Sequence, residues 1–240
     1  MAPYIGTSGF YYNDWKGTFY PEDLAKKDWL PFYSKHFKTV EINNTFYNTP
    51  QKSTFEKWGE HTPADFKFTL KGSRYVTHTK KLRDPTEGVT NFYKAIEPLE
   101  GKTDCVLWQL PPYLHFDAKK LKDFAKTCSS NYANIMEFRH KTWFTDECYD
   151  ILRKHRIGFS ILSTSDDLPE EIIHTGHTAY LRFHGKDKKQ RYRYLYSEEE
   201  LRQWAEKIKS LNPHRIFIYF NNDFEGNAIT NARQMKKMLF

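Results

Sequence analysis

The chain has 240 residues, a formal net charge of +7, three cysteines and 17% aromatic residues. This length supports a substantial core in one domain over residues 1–240, and no apolar stretch approaches the ~20 residues that cross a bilayer. The start of the chain lacks a basic, apolar and small-residue leader, and Cys105, Cys128 and Cys148 form no Cys-x-x-Cys pair, which argues against export, a disulfide framework or a thiolate zinc site and predicts a soluble, cytoplasmic protein without membrane contact.

In chain order, Tyr4-Ile5-Gly6-Thr7 reads as a first strand followed by a glycine-rich turn, and Pro21-Glu22-Asp23 opens a predicted helix over 22–35. A second strand at 38–43 and a helix at 51–60 lead to the alternating run Phe66-Lys67-Phe68-Thr69-Leu70, a third strand. Asp84-Pro85 starts the next helix. A fourth strand at 104–108 is stopped by Pro111-Pro112, and Asp117 caps a helix to about 126. Strand five covers 133–138, helix five 145–154 and strand six 158–162. Residues 163–177 are the least regular and predict an abbreviated helix. Strand seven at 178–183 precedes a basic, tyrosine-rich loop; Ser197 and Glu200 then have the spacing of a capping box, strand eight is 216–220, and a last helix runs from 226. Eight strands alternating with helices predict an α/β fold with parallel strands, closed into a barrel rather than an open doubly wound sheet. Neither Gly-x-Gly-x-x-Gly after strand one nor a Walker loop is present, which removes the usual signals of a nucleotide-binding sheet.

Charged and amide residues stand at the carboxyl ends of these apolar runs: Glu41 and Asn43, Lys71, Gln109, Glu137 and Arg139, Arg182 and His184, Asn221 and Asn222. A buried charge is costly unless paired or hydrogen-bonded, so polar ends on six strands predict a shared site.

Several motifs carry a resemblance. Gly6-Thr7-Ser8-Gly9-Phe10, Val40-Glu41-Ile42-Asn43-Asn44-Thr45-Phe46-Tyr47, Thr77-His78, Gln109-Leu110-Pro111-Pro112, Glu137-Phe138-Arg139-His140, Arg182-Phe183-His184-Gly185 and Phe220-Asn221-Asn222 together resemble the YecE-like family, a domain of unknown function, in order across nearly the whole chain. The resemblance implies a single TIM-type (β/α)8 barrel from bacteria or archaea and brings no established activity. Phe10 stands where the family often has Trp, and Cys105 and Trp108 replace plainer aliphatics; neither change touches the polar strand ends.

In such a barrel the loops after the strands build the active site. Alternation points Glu41 with Asn43, Glu137 with Arg139 and Arg182 with His184 inward, leaving Val40, Ile42, Met136, Phe138, Leu181 and Phe183 against the helices. Arg139, Arg182 and Lys71 are read as an anion clamp, with Asn43, Gln109, Asn221 and Asn222 orienting the ligand. Glu41 or Glu137 is the expected general base and His78, His140 or His184 the expected general acid. The predicted function is acid–base catalysis (hydrolase, lyase or isomerase) on a phosphorylated or otherwise anionic small molecule without a cofactor. A divalent metal is the weaker option, because arginines accompany the carboxylates. Two rival readings stay open: a nucleic-acid binder using Lys188, Lys189, Arg191, Tyr192, Arg193 and Tyr194, and a barrel whose Glu41, Glu137, Arg139 and Arg182 form a structural plug. The residues do not specify an oligomeric state.

Overall fold

A computed structural model describes residues 3–240, apart from the side chain of Arg191. The short β-branched and aromatic runs form eight strands: β1 (Tyr4–Thr7), β2 (Thr39–Ile42), β3 (Lys67–Lys71), β4 (Thr103–Gln109), β5 (Ala133–Glu137), β6 (Gly158–Ser163), β7 (Thr178–Phe183) and β8 (Arg215–Phe220). They pair in parallel in the order β1-β8-β7-β6-β5-β4-β3-β2. The sheet closes at its upper edge, where a bridge joins Ser8 to Glu41 and the Gly9 N–H donates to the Glu41 carbonyl at 2.7 Å. Below that bridge the Tyr33 hydroxyl sits in the seam, accepting from the Thr7 N–H at 2.9 Å and donating to the Thr39 carbonyl at 3.1 Å. A side chain thus supplies the hydrogen bonds that these strand edges do not exchange directly. Gly6 permits this close approach, since a Cβ there would lie 2.2 Å from the Thr39 oxygen.

Among the described residues seven helices cover the barrel: α1 (Trp29–His36), α2 (Lys52–Glu60), α3 (Pro85–Ile96), α4 (Ala118–Ala125), α5 (Asp146–Lys154), α6 (Glu198–Ser210) and α7 (Asn227–Leu239). Asp117 accepts from the Lys120 N–H at 3.0 Å, and Ser197 and Glu200 form the expected capping box on α6. The first helix begins seven residues later than the sequence reading. Pro31 explains this: in a helix begun at residue 22 its ring would fall in the interior, whereas in α1 it falls in the first turn, where no N–H is needed. Between β6 and β7 the expected abbreviated helix is absent; residues 164–177 are irregular, with Pro169 disfavouring helical geometry before it. Among the described residues no helix is long and apolar enough to cross a membrane.

Alternation along the strands creates two cores. Val40, Ile42, Met136, Phe138, Leu181 and Phe183 lie in the layer between strands and helices, while Cys105, Leu107, Ile135, Tyr180, Phe217 and Tyr219 fill the barrel interior. The Tyr219 hydroxyl ends this apolar filling, shared between Thr39 Oγ1 at 2.5 Å and Thr69 Oγ1 at 2.8 Å. The charged strand ends therefore rest on a packed floor.

Candidate ligand site at the barrel mouth

Immediately above the apolar filling lies a buried charged layer. Arg182 extends inward from β7 and spans the barrel, donating from Nη1 to Glu137 Oε2 and from Nη2 to Glu41 Oε1, each at 2.7 Å; both carboxylates are fully buried. Glu41 also accepts from the hydroxyls of Ser8 and Tyr180. Arg139 donates from Nε to Glu137 Oε1 at 2.6 Å and from Nη1 to Asp166 Oδ2 at 2.9 Å. Burial alone would push the Glu137 carboxyl up, but the adjacent Arg139 and Arg182 outweigh it and hold the group well below the usual carboxylate range.

Hydrogen-bond chemistry fixes the state of His184. Its Nε2 lies 2.9 Å from Arg139 Nη2, which can only donate, so Nε2 accepts and the proton of the neutral ring sits on Nδ1. Nδ1 lies 3.0 Å from Asn221 Nδ2; because both would then be donors, the Asn221 amide is assigned the flipped orientation, in which Oδ1 accepts from Nδ1–H. Burial and the two neighbouring guanidinium groups, Arg139 foremost, lower the His184 pKa well below its ordinary value. His184 is thus a neutral spacer between Arg139 and Asn221.

An open cleft of about 860 Å³ sits over this layer. Lys71 enters it from the end of β3, its Nζ 2.8 Å from Gln109 Oε1 and 4.5 Å from the centre of the Phe46 ring. Among the described residues no carboxylate lies within ion-pair distance of Lys71, unlike Arg139 and Arg182. Burial first, and then the charge of Arg182, lower its pKa to about 8. A turn of π-helix over Tyr75–Thr79 brings His78 to the rim, where burial, Lys71 and Arg74 lower its pKa to about 4. Across the cleft, burial raises the Asp223 carboxyl to about 6 beside Tyr12.

Nine of the residues anticipated from sequence line the cleft: Asn43, Lys71, His78, Gln109, Arg139, Arg182, His184, Tyr192 and Asn221. Glu41 and Glu137 are sealed beneath it. His140 does not reach it; its ring stacks on His115 with centroids 4.0 Å apart, because it follows inward-facing Arg139 and so points the other way. Asn222 is likewise turned outward, donating to the Tyr194 carbonyl at 2.7 Å and to Asn231 Oδ1 at 2.9 Å. In the loop after β7, Lys188 and Lys189 are exposed and Tyr192 reaches the cleft, but Arg193 covers the Phe224 ring at 3.9 Å and the Tyr194 hydroxyl donates to Glu200 at 2.6 Å. The side chain of Arg191 lies outside the described residues. Sequence reasoning did not assign roles to Ser8, Arg74 or Tyr180; Tyr180 lies two residues before Arg182 on β7, and that spacing was an available signal.

Two of the other concavities bear comparison with the mouth. One of about 1030 Å³ lies at the amino ends of the strands, where Asp104 is already paired with Arg215 at 2.6 Å and Lys67 at 3.3 Å. Though larger, it lies at the face of a barrel that generally serves stability. The other, an apolar groove of about 640 Å³, shares Tyr12 and Asn43 with the mouth. Among the described residues no three His, Cys, Asp or Glu side chains converge in a manner suited to a metal ion.

The titrations predict a pH profile. His184 and His78 bind protons less readily when folded, so their contribution to stability is complete above their ordinary value of 6.5 and is lost as pH falls below it. Glu137, also depressed, adds stability present above 4.5 and lost below. Urea unfolding across pH is therefore expected to show stability declining below 6.5 and more steeply below 4.5; a midpoint unchanged down to about pH 5 would contradict the assignments.

An eight-stranded parallel barrel with a charged cleft at the carboxyl ends of its strands is a (β/α)8-barrel protein of the class that gathers its chemistry at that end. The chain belongs to the family described as Protein of unknown function DUF72, whose model matches residues 4–240. It is 28% identical to UPF0759 protein YunF of Bacillus subtilis over 98% of this chain and 94% of that protein, and 29% identical to UPF0759 protein YecE of Escherichia coli K12 over 48% and 43%. Among solved structures, a DUF72 family protein of Thermotoga maritima superposes with a TM-score of 0.91 at 37% identity, covering 100% of this chain and 99% of that one. A D-psicose 3-epimerase from Clostridium cellulolyticum gives a TM-score of 0.59 at 9% identity over 98% and 96%, a likeness of fold alone.

Proposed function

We propose that the barrel mouth binds an anionic small molecule, a phosphate ester or carboxylate, and transforms it by acid–base chemistry. Lys71 carries this reading: it is a half-buried cation facing an open cleft, and its hydrogen-bonding partner, Gln109, is neutral. Lysines shift readily when desolvated, and a group near neutrality can both give and take protons. Glu41 and Glu137, the carboxylates expected to act as base, have no face on the cleft; they neutralise Arg182 within the floor and leave Lys71 and Arg74 as cations at the cleft itself. Asp223, near 6, is the other cleft group suited to proton transfer at neutral pH. The reaction class is hydrolase, lyase or isomerase, and the polar plug is the floor of the site rather than an alternative to it.

The exposed Lys188, Lys189 and Tyr192 favour a second reading, in which nucleic acid lies across the mouth. Calorimetric titration with inorganic phosphate, glycerol phosphate and single-stranded oligonucleotides separates the two. One phosphate or ester per chain, with oligonucleotides no tighter, supports the small-molecule reading. Tight, steeply salt-dependent oligonucleotide binding without small-anion binding would replace it.

A further inference from the structure

We propose that Lys71 is an imine-forming lysine, and that the anion taken by the cleft carries an aldehyde or ketone. The inference rests on the anion-binding reading above and adds the reacting group. Thr69 and Lys71, two residues apart on β3, share the inward face, and Lys71 is the one that emerges at the mouth. Its amine is held by Gln109 Oε1 at 2.8 Å against the Phe46 ring, without a carboxylate that would bind the ammonium tightly. Arg74, Arg139 and Arg182 line the same cleft. Desolvation and adjoining cations are the two influences that make a lysine nucleophilic, and both act here, lowering its pKa to about 8. Arginines beside it suit the charged end of a ligand whose carbonyl meets the amine.

The step balances without a redox partner. The neutral amine attacks the carbonyl carbon, forming the C–N bond while the carbonyl π pair moves to oxygen. Proton transfer from nitrogen to oxygen gives a carbinolamine. That oxygen takes one further proton from a cleft acid such as Asp223, or from solvent, and leaves as water as the C=N bond forms, giving an iminium. The iminium draws electrons from the adjacent carbon, which is how such a lysine would serve an isomerase or lyase.

Pyridoxal 5′-phosphate joins an aldehyde to a phosphate and can be fixed on an amine with borohydride. Limiting probe at neutral pH followed by peptide mass spectrometry is expected to label Lys71 first and at one site per chain. The rate should exceed that of an ordinary surface amine on the order of 100-fold, from the larger neutral fraction of an amine near 8. Inorganic phosphate should slow the labelling, and Lys71→Arg should remove its fast phase. Label spread over surface lysines with Lys71 spared, while calorimetry still detects phosphate binding, overturns the imine and leaves the anion site standing. Loss of both signals in the wild-type protein overturns both.

Discussion

Arg182→Met is expected to cost about 3–5 kcal/mol, lowering the thermal midpoint by roughly 6–20 °C for a chain of this size. The loss comes less from the vanished attraction than from what remains: Glu41 and Glu137 are fully buried, and removing the guanidinium between them leaves two negative charges without their shared counterion. Arg139 still reaches Glu137, while Glu41 keeps only the uncharged donors Ser8, Tyr180 and Asn43. A variant that also carries Glu41→Gln and Glu137→Gln should therefore recover most of the stability, because the uncompensated charges have gone. Scanning calorimetry on both proteins checks this. A single variant within about 1 kcal/mol of wild type would mean that the layer is not dry as described.

Lys71→Met should behave in the opposite way. The ammonium is desolvated and lies near Arg182 and Arg139, so its replacement by an apolar side chain of similar length should leave the midpoint unchanged or raise it slightly. Phosphate binding, by contrast, should weaken roughly 10- to 100-fold, the loss of a charged hydrogen bond worth about 1.5–3 kcal/mol. Together the two substitutions separate floor from site: Arg182 chiefly supports stability, and Lys71 chiefly supports binding. Phosphate affinity unchanged in Lys71→Met would remove this lysine from the ligand site.

The strands were legible because alternation is a direct consequence of the pleat. Val106 and Trp108 outside, Cys105 and Leu107 inside, follow from period two alone. The same parity, carried past the strand ends, accounts for His140 and Asn222: each follows an inward-facing residue and turns outward. What parity does not give is depth. Glu41 and Asn43 both face inward, yet Glu41 is sealed below Arg182 while Asn43 lines the cleft. That difference depends on an arginine from β7 being long enough to cross the barrel, a relation between residues more than a hundred positions apart. Asp166 pairing with Arg139, and Asp223 lying beside Tyr12, are long-range in the same sense. The missing helix between β6 and β7 was half legible, since the irregular composition was visible but not the use of that segment to deliver Asp166 to the mouth.

The decisive experiment is an arsenate-soaked crystal, read from the arsenic anomalous signal. A peak is expected in the mouth cleft within hydrogen-bonding reach of Lys71 Nζ, on the side where the arginines face it. A mouth without a peak, with arsenate instead gathered at Arg156 and Arg215 at the opposite end of the barrel, would contradict the proposed anion site.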